Sequence, residues 1–286
     1  MNEKKSNIER FSLEILRDID RDRYLACLLS PKEVRNNLAT IYRFNAELAR
    51  VRDMVTNPLT GEIRFQFWKN LFQKNSNDIE TEHSSFSKEV LEAINKYNLP
   101  FQCFLDIIEA RIFDLYDAPM NTSQQLELYA SRTASNIIQL AVFILNREEV
   151  PSLMKAIIHA GIAQSIGGLL LLAGLHRSRG QLYLPLDILV ATGLNRETFL
   201  LGEDRQRISI AINAFSELGL EHLLKARKNI QNISMPILSA FIPVSITESI
   251  LKKAKSNGAD ILDRQQIIPQ WLRQWHMMYT LYKRRF

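Results

Sequence analysis

Proline sets the punctuation of this chain. Residues 100, 119, 151 and 185 are prolines, and each falls at the edge of a run of helical periodicity rather than inside one. Proline lacks an amide donor and clashes with the preceding turn, so it marks where a helix can begin or end. Between these marks apolar residues recur at steps of three and four; Ile41, Phe44, Leu48, Val51 and Val55 form one such stripe. Ser30-Pro31-Lys32-Glu33 reads as a capping box with proline at the first helical position, which predicts a helix from there to about Val55. Pro58-Leu59-Thr60-Gly61 reads as a turn, Glu62 to Phe72 as an aromatic-rich helix, and Gln73 to Ser85 as a polar loop. Further helices are expected at about 86–97, 101–116, 123–146, 152–175, 203–230, 237–255 and 269–284. No stretch alternates with period two, and no repeat stands out. The expected fold class is all-α, in a single domain over residues 1–286.

Charge and composition narrow the function classes. Lys plus Arg exceeds Asp plus Glu by 36 − 31 = 5, an excess that allows an anionic partner without requiring one. The cations are dispersed and accompany no nucleic-acid-binding motif, so no nucleic-acid partner is expected. Cys27 and Cys103 lie in helix-like runs without metal spacing and read as core thiols of a reducing compartment. The N-terminal residues show no apolar signal core. The longest apolar run, Ala156 to Leu175, holds His159, Gln164 and Ser165, which suits a buried core helix better than a membrane span. A cytoplasmic protein is expected, or one of the mitochondrial matrix if the source is eukaryotic, in either case with room for a peripheral place at the inner membrane.

Three stretches carry chemistry. Arg179-Gly180-Gln181-Leu182-Tyr183-Leu184-Pro185 resembles the G-[RK]-x-Y-L-P segment of the squalene and phytoene synthases. Tyr42 to Asp53 resembles that family's Y-x-F-C-R-x-x-D-D-x-x-D motif, and Tyr129-Ala130-Ser131-Arg132-Thr133-Ala134-Ser135 its Y-C-x-Y-V-A-G. The resemblance implies an isoprenoid-synthase-like helical bundle around a central cavity. It also implies a D-x-x-x-D motif at positions 172 and 176, whose carboxylates would share magnesium ions. Here those positions are Leu172 and His176. The leading aspartates of the other motif fall on Ala49 and Arg50, and only Asp53 remains. Magnesium needs several converging oxygen donors, and one carboxylate cannot supply them. Glu47 reads as a helix salt-bridge partner rather than a ligand.

Ala49-Arg50-Val51-Arg52-Asp53, Gly61 to Trp68 and His176-Arg177-Ser178-Arg179 look most like a divergent branch of that superfamily, the complex I assembly factors of mitochondria and their bacterial relatives. The resemblance then implies a non-catalytic protein that acts in respiratory complex I assembly, with a complex subunit as partner, or binds an anionic prenyl lipid. The alternative is a prenyltransferase that condenses two prenyl diphosphates head to head, for which Mg²⁺ would be the cofactor. No cofactor is expected otherwise. The candidate anion pocket comprises Tyr42, Arg50, Asp53, Arg132, His176, Arg179 and Tyr183. Its cations would bind phosphate directly; for Arg177 and its neighbours the competing role is a basic helix end that complements the dipole. In the last helix Trp271, Trp275, Met278, Tyr279 and Tyr282 share one face, ahead of Lys283-Arg284-Arg285. That face suits either a docked core helix or a membrane interface.

Overall fold

The computed structural model describes residues 12–73, 84–230, 233–263, 268–284 and 286. Most of the expected polar loop at 73–85 lies outside these residues, as do Ile8, Phe11 and Arg285. Among the described residues the chain is helical without a strand, as the periodicity predicts. The helices gather into two compact units, each built from segments distant in sequence.

The first unit comprises Met1–Tyr116, Asn136–Ser152 and Ile233–Pro243. Its central element is the helix Arg35–Ala49, which buries Leu38, Ile41, Phe44 and Leu48 on the predicted stripe. Phe44 is the hub: its ring meets Trp68 at 5.0 Å, Phe104 at 5.3 Å and Phe72 at 6.1 Å, all edge-on. Edge contacts of this kind add about 0.5–1.5 kcal/mol each beyond area burial. The helices Pro58–Gln73 and Phe101–Asp114 supply those partners. Beside the hub, Arg43 stacks its guanidinium 3.8 Å from the Phe86 ring and donates from Nε to Glu47 Oε1 at 2.8 Å. Glu47 is thus a salt-bridge partner, but of Arg43, one turn before it. Cys27 and Cys103 are free and buried, and burial pushes the Cys103 thiol up to about 12.

The second unit comprises Asp117–Ser135, Leu153–Asn232 and Val244–Phe286. Here the long helices Val150–Leu171 and Arg205–Lys228 pack with Thr247–Asn257. Two helical stretches, Ser123–Leu171 and Met235–Leu262, are long and apolar enough to cross a membrane, yet 56% and 72% of their most apolar windows are buried inside the protein. Ala156, Ile157, Ala160, Ala163, Ile166 and Leu170 are buried, so the longest apolar run is a core helix.

Local signals misplace several boundaries. Ser30 caps nothing: its hydroxyl donates back to Ala26 O at 2.7 Å, and the next helix starts beyond it, at Arg35. Pro58 opens a helix instead of a turn, with Asn57 Oδ1 accepting from Leu59 N at 3.0 Å; proline at a first helical position forfeits no bond. Pro151 likewise sits in the first turn of Val150–Leu171. The expected helix 123–146 is broken by a π-helical turn at Ser131–Ser135. The expected helix 237–255 is broken by the 3₁₀ turn Ile242–Val244, which contains Pro243.

The π turn has a packing partner. A Cβ added at Gly161 would overlap the Oγ, N and Cα of Ser135, and Ser135 Oγ donates to Ile158 O at 3.0 Å. The small residues around Arg132 therefore serve close helix packing. Backbone atoms cannot move aside as a flexible side chain can. Gly161→Ala should lower stability by at least about 1–3 kcal/mol, read as a fall in the urea midpoint, whereas Gly168→Ala, with open space at its Cβ, should be neutral or better.

Candidate functional site

The first unit holds Tyr42, Arg50 and Asp53. Tyr42 is 2% exposed, with the Arg23 guanidinium 5.7 Å from its ring centroid. Burial pushes its phenol well above the usual tyrosine value, and the neighbouring Cys27 adds to the rise. The helix ends at Ala49. Arg50, at φ −90° and ψ −7°, separates it from the short helix Val51–Met54 that carries Asp53. Ala49, Arg50 and Asp53 are exposed. The single helix expected to run to about Val55 is thus interrupted at that break. Buried Tyr42 and the three exposed residues do not share one open surface.

The second unit holds Arg132, His176, Arg179 and Tyr183. Arg132 is exposed on the π turn. The long apolar helix stops at Leu171, and Leu172 caps a separate short helix, Ala173–Ser178. Leu172, at the first position of the lost D-x-x-x-D, is 39% exposed. His176, at the second, lies 4.6 Å from the Tyr183 ring at 51°. These two predicted site residues are therefore brought together, as an aromatic pair. Arg179 closes the short helix and is exposed.

Arg177 does something else. Its Nε donates to Leu200 O at 2.8 Å, its Nη2 to Leu201 O at 2.6 Å, and its Nη1 pairs with Asp263 Oδ1 at 2.8 Å. Arg205 Nη1 holds the other oxygen of Asp263 at 2.7 Å. The guanidinium lies against Gly202, whose φ of +76° and missing Cβ leave room for it. Arg177 therefore caps the last carbonyls of the helix Arg196–Leu201 and ties them to Asp263, a structural task. The segment that follows docks as well: Gln181 Nε2 donates to Asp117 Oδ1 at 2.8 Å, and Leu186 N to Met120 O at 2.9 Å.

One cluster escaped the sequence reading. His159 and His222 face each other Nδ1 to Nδ1 at 3.0 Å, and His222 Nε2 lies 3.4 Å from Glu127 Oε1. One tautomer pair satisfies every contact: His222 donates from Nε2 to Glu127 and accepts at Nδ1 from His159 Nδ1–H. Burial, first, holds both imidazoles below the usual histidine range; for His159 the charges of His222 and Lys225 add to this. Glu127 and Glu221 pull the other way without winning. A histidine in an apolar run signals a buried partner, but nothing local names one 63 residues away.

Comparison with known proteins fixes the kinship. A family model described as squalene/phytoene synthase matches residues 16–276. The chain belongs to that family. Within it, the chain is 32% identical over 260 residues to the NADH dehydrogenase (ubiquinone) complex I assembly factor 6 of Bos taurus, covering 90% of this chain and 76% of that one. The Homo sapiens protein of the same name is 29% identical over 281 residues, covering 95% of this chain and 83% of that one. Among solved structures, a dehydrosqualene synthase in complex with ligand superposes with a TM-score of 0.82 at 13% identity, covering 99% of this chain and 98% of that one. The fold is thus that of the isoprenoid synthases.

The squalene/phytoene synthase frame raises the question of magnesium. At the positions where the family motifs carry aspartate, this member has Ala49, Arg50, Leu172 and His176 beside the single carboxylate of Asp53. Among the described residues no three His, Cys, Asp or Glu side chains converge as a metal ion would need. A hard cation that wants several oxygens does not fit this donor set.

Two outcomes follow from the geometry. Arg177→Ala should cost about 1.5–3 kcal/mol for a charged donor's hydrogen bonds, measured as a lower melting temperature. The histidine pair gives a pH signature. Its folded values are depressed, so the unfolded chain binds protons that the folded one refuses. Stability should be full above pH of about 6.5 and fall as the pH drops through the folded values. Urea midpoints taken across that range should show the decline, and His222→Gln should flatten it.

Proposed function

We propose that this chain takes part in the assembly of a respiratory NADH dehydrogenase complex and does not condense prenyl diphosphates. The observation that carries this reading is the loss of carboxylates at four motif positions, now Ala49, Arg50, Leu172 and His176. Ionising an allylic diphosphate develops charge on the leaving group, and metal ions that stabilise this charge supply much of the rate enhancement in such catalysis. A leucine, an alanine and an imidazole paired with a tyrosine supply none of it. Arg50 could pair with phosphate but not recruit a cation. The similarity to complex I assembly factors over nine-tenths of the chain supports the positive half of the proposal. Such a role would place the protein in the bacterial cytoplasm or the mitochondrial matrix, with a subunit of the complex as its partner.

Deleting the chain from its host should reduce fully assembled NADH dehydrogenase on native gels. Wild type and Asp53→Asn should restore it equally. Purified protein given farnesyl or geranylgeranyl diphosphate, Mg²⁺ and NADPH should yield no condensed product. Turnover that vanishes in Asp53→Asn, or a complementation that depends on Asp53, would overturn the non-catalytic reading.

A further inference from the structure

The helix Gln270–Lys283 has two faces of opposite fate. On one, Leu272 packs against the cluster of Ile246, Ile250 and Ile268, while Met277 and Thr280 are buried. His276 Nε2 lies 3.0 Å from Ser249 Oγ on the neighbouring helix Thr247–Asn257. This face fixes the helix to its own unit. On the other, Trp271, Trp275, Met278, Tyr279 and Tyr282 are 68%, 64%, 56%, 49% and 81% exposed. The docked-core expectation for these five residues is therefore wrong, although the helix that bears them is docked. Their spacing of four, three, one and three keeps them on a single stripe. A soluble surface rarely concentrates large apolar side chains in this way without a partner.

We infer that this stripe lies in the headgroup layer of an anionic lipid bilayer. Three observations favour lipid over a protein partner. First, four of the five residues are Trp or Tyr, whose amphipathic rings concentrate at membrane interfaces. Second, cations rim the stripe. Lys283 Nζ sits 5.8 Å from the Tyr279 ring and 5.9 Å from the Tyr282 ring, and Arg284 ends the helix at φ +53°. Lysine is depleted in the cores of protein interfaces but is drawn to anionic lipid. Third, Trp275, Tyr279 and Lys283 also line an open pocket of about 710 Å³ whose wall includes Arg227 and Lys252. Glu248 meets Arg227 at 2.7 Å and Lys252 at 2.6 Å, and Arg227 Nε also donates to Phe286 O at 2.5 Å, so Arg227 is engaged while Lys252 shares one carboxylate and Lys283 lies beside the rings. The two lysines suit a phosphate headgroup beside rings that would sit at the level of the acyl boundary. The inference goes beyond the assembly role and does not depend on it.

The test mixes the intact protein with vesicles of phosphatidylcholine alone or with phosphatidylglycerol added. Tryptophan emission and flotation are the readouts. Trp68 is buried, so a blue shift reports Trp271 and Trp275. The protein should float with the anionic vesicles and shift its emission to the blue. Added salt should weaken binding. Trp271→Ala/Trp275→Ala should weaken it at least about tenfold, with an unchanged melting temperature because both rings stand in solvent. Lys283→Glu should reduce binding to anionic vesicles and leave the weak binding to neutral ones as it was. Failure of the wild-type protein to float with phosphatidylglycerol vesicles would overturn the inference. So would equal binding by the double-tryptophan variant. Wild-type protein that ignores vesicles but joins an NADH dehydrogenase subunit through Trp271 and Trp275 would reassign the face to a protein partner and overturn it too.

Discussion

The second unit depends on how closely its neighbours approach the helix Val150–Leu171. At three places the approach leaves little or no room for further side-chain atoms. Gly161 meets the backbone of Ser135, Gly167 lies under the Thr247 methyl, and Ile166 presses on Gly219 of the helix Arg205–Lys228. Each crossing uses a glycine on one side or the other, and helical glycine costs about 1 kcal/mol relative to alanine. The cost is offset by dispersion contacts that only close approach allows. Along the same two helices His159, two turns before Ile166, meets His222, one turn after Gly219, within hydrogen-bonding range.

That crossing pattern also separates fold from chemistry. The motif positions that lost their carboxylates are not the positions that hold the helices together. Ala49, Arg50 and Leu172 are exposed and His176 is half-buried, while the hub around Phe44 and the glycine contacts of the long helix are buried. Replacing an exposed aspartate removes charge repulsion and leaves packing untouched. A squalene/phytoene synthase frame can therefore carry other residue types at these positions. The basic segment that follows takes up structural work, and Arg177 shows this: two carbonyls and Asp263 engage all three of its nitrogens.

Much of the fold was legible because helices satisfy their backbone locally. The stripe Ile41, Phe44, Leu48, Val51 and Val55 is buried as its spacing demanded. Breaks were harder, since their causes lie elsewhere in the chain. The π turn at Ser131–Ser135 answers to Gly161, about thirty residues away. Ser30 illustrates a local rule with two outcomes: its hydroxyl could cap a following helix or bond back to the preceding one, and it bonds back to Ala26. The site was legible in its residue types more than in its geometry. The missing carboxylates could be counted from the motifs, whereas the partners of Arg177, His159 and His222 are long-range and carry no local signal.

The last helix shows where amphipathicity alone stops. Periodicity identified a stripe of Trp, Tyr and Met, and a stripe at helical spacing is most often core. The opposite side, with Leu272, His276, Met277 and Thr280, looks weaker by composition, yet it is the side that docks. A helix joins its core through whichever face fits the neighbouring surface, and here the neighbours are Ile246, Ile250 and Ser249. The larger apolar face is left over. Nothing in the unit's own packing requires two tryptophans and two tyrosines in water, and their exposure forgoes about 1.5–3 kcal/mol of burial for each large side chain. A surface that costs solubility and adds little to the unit's own packing fits a partner outside the fold.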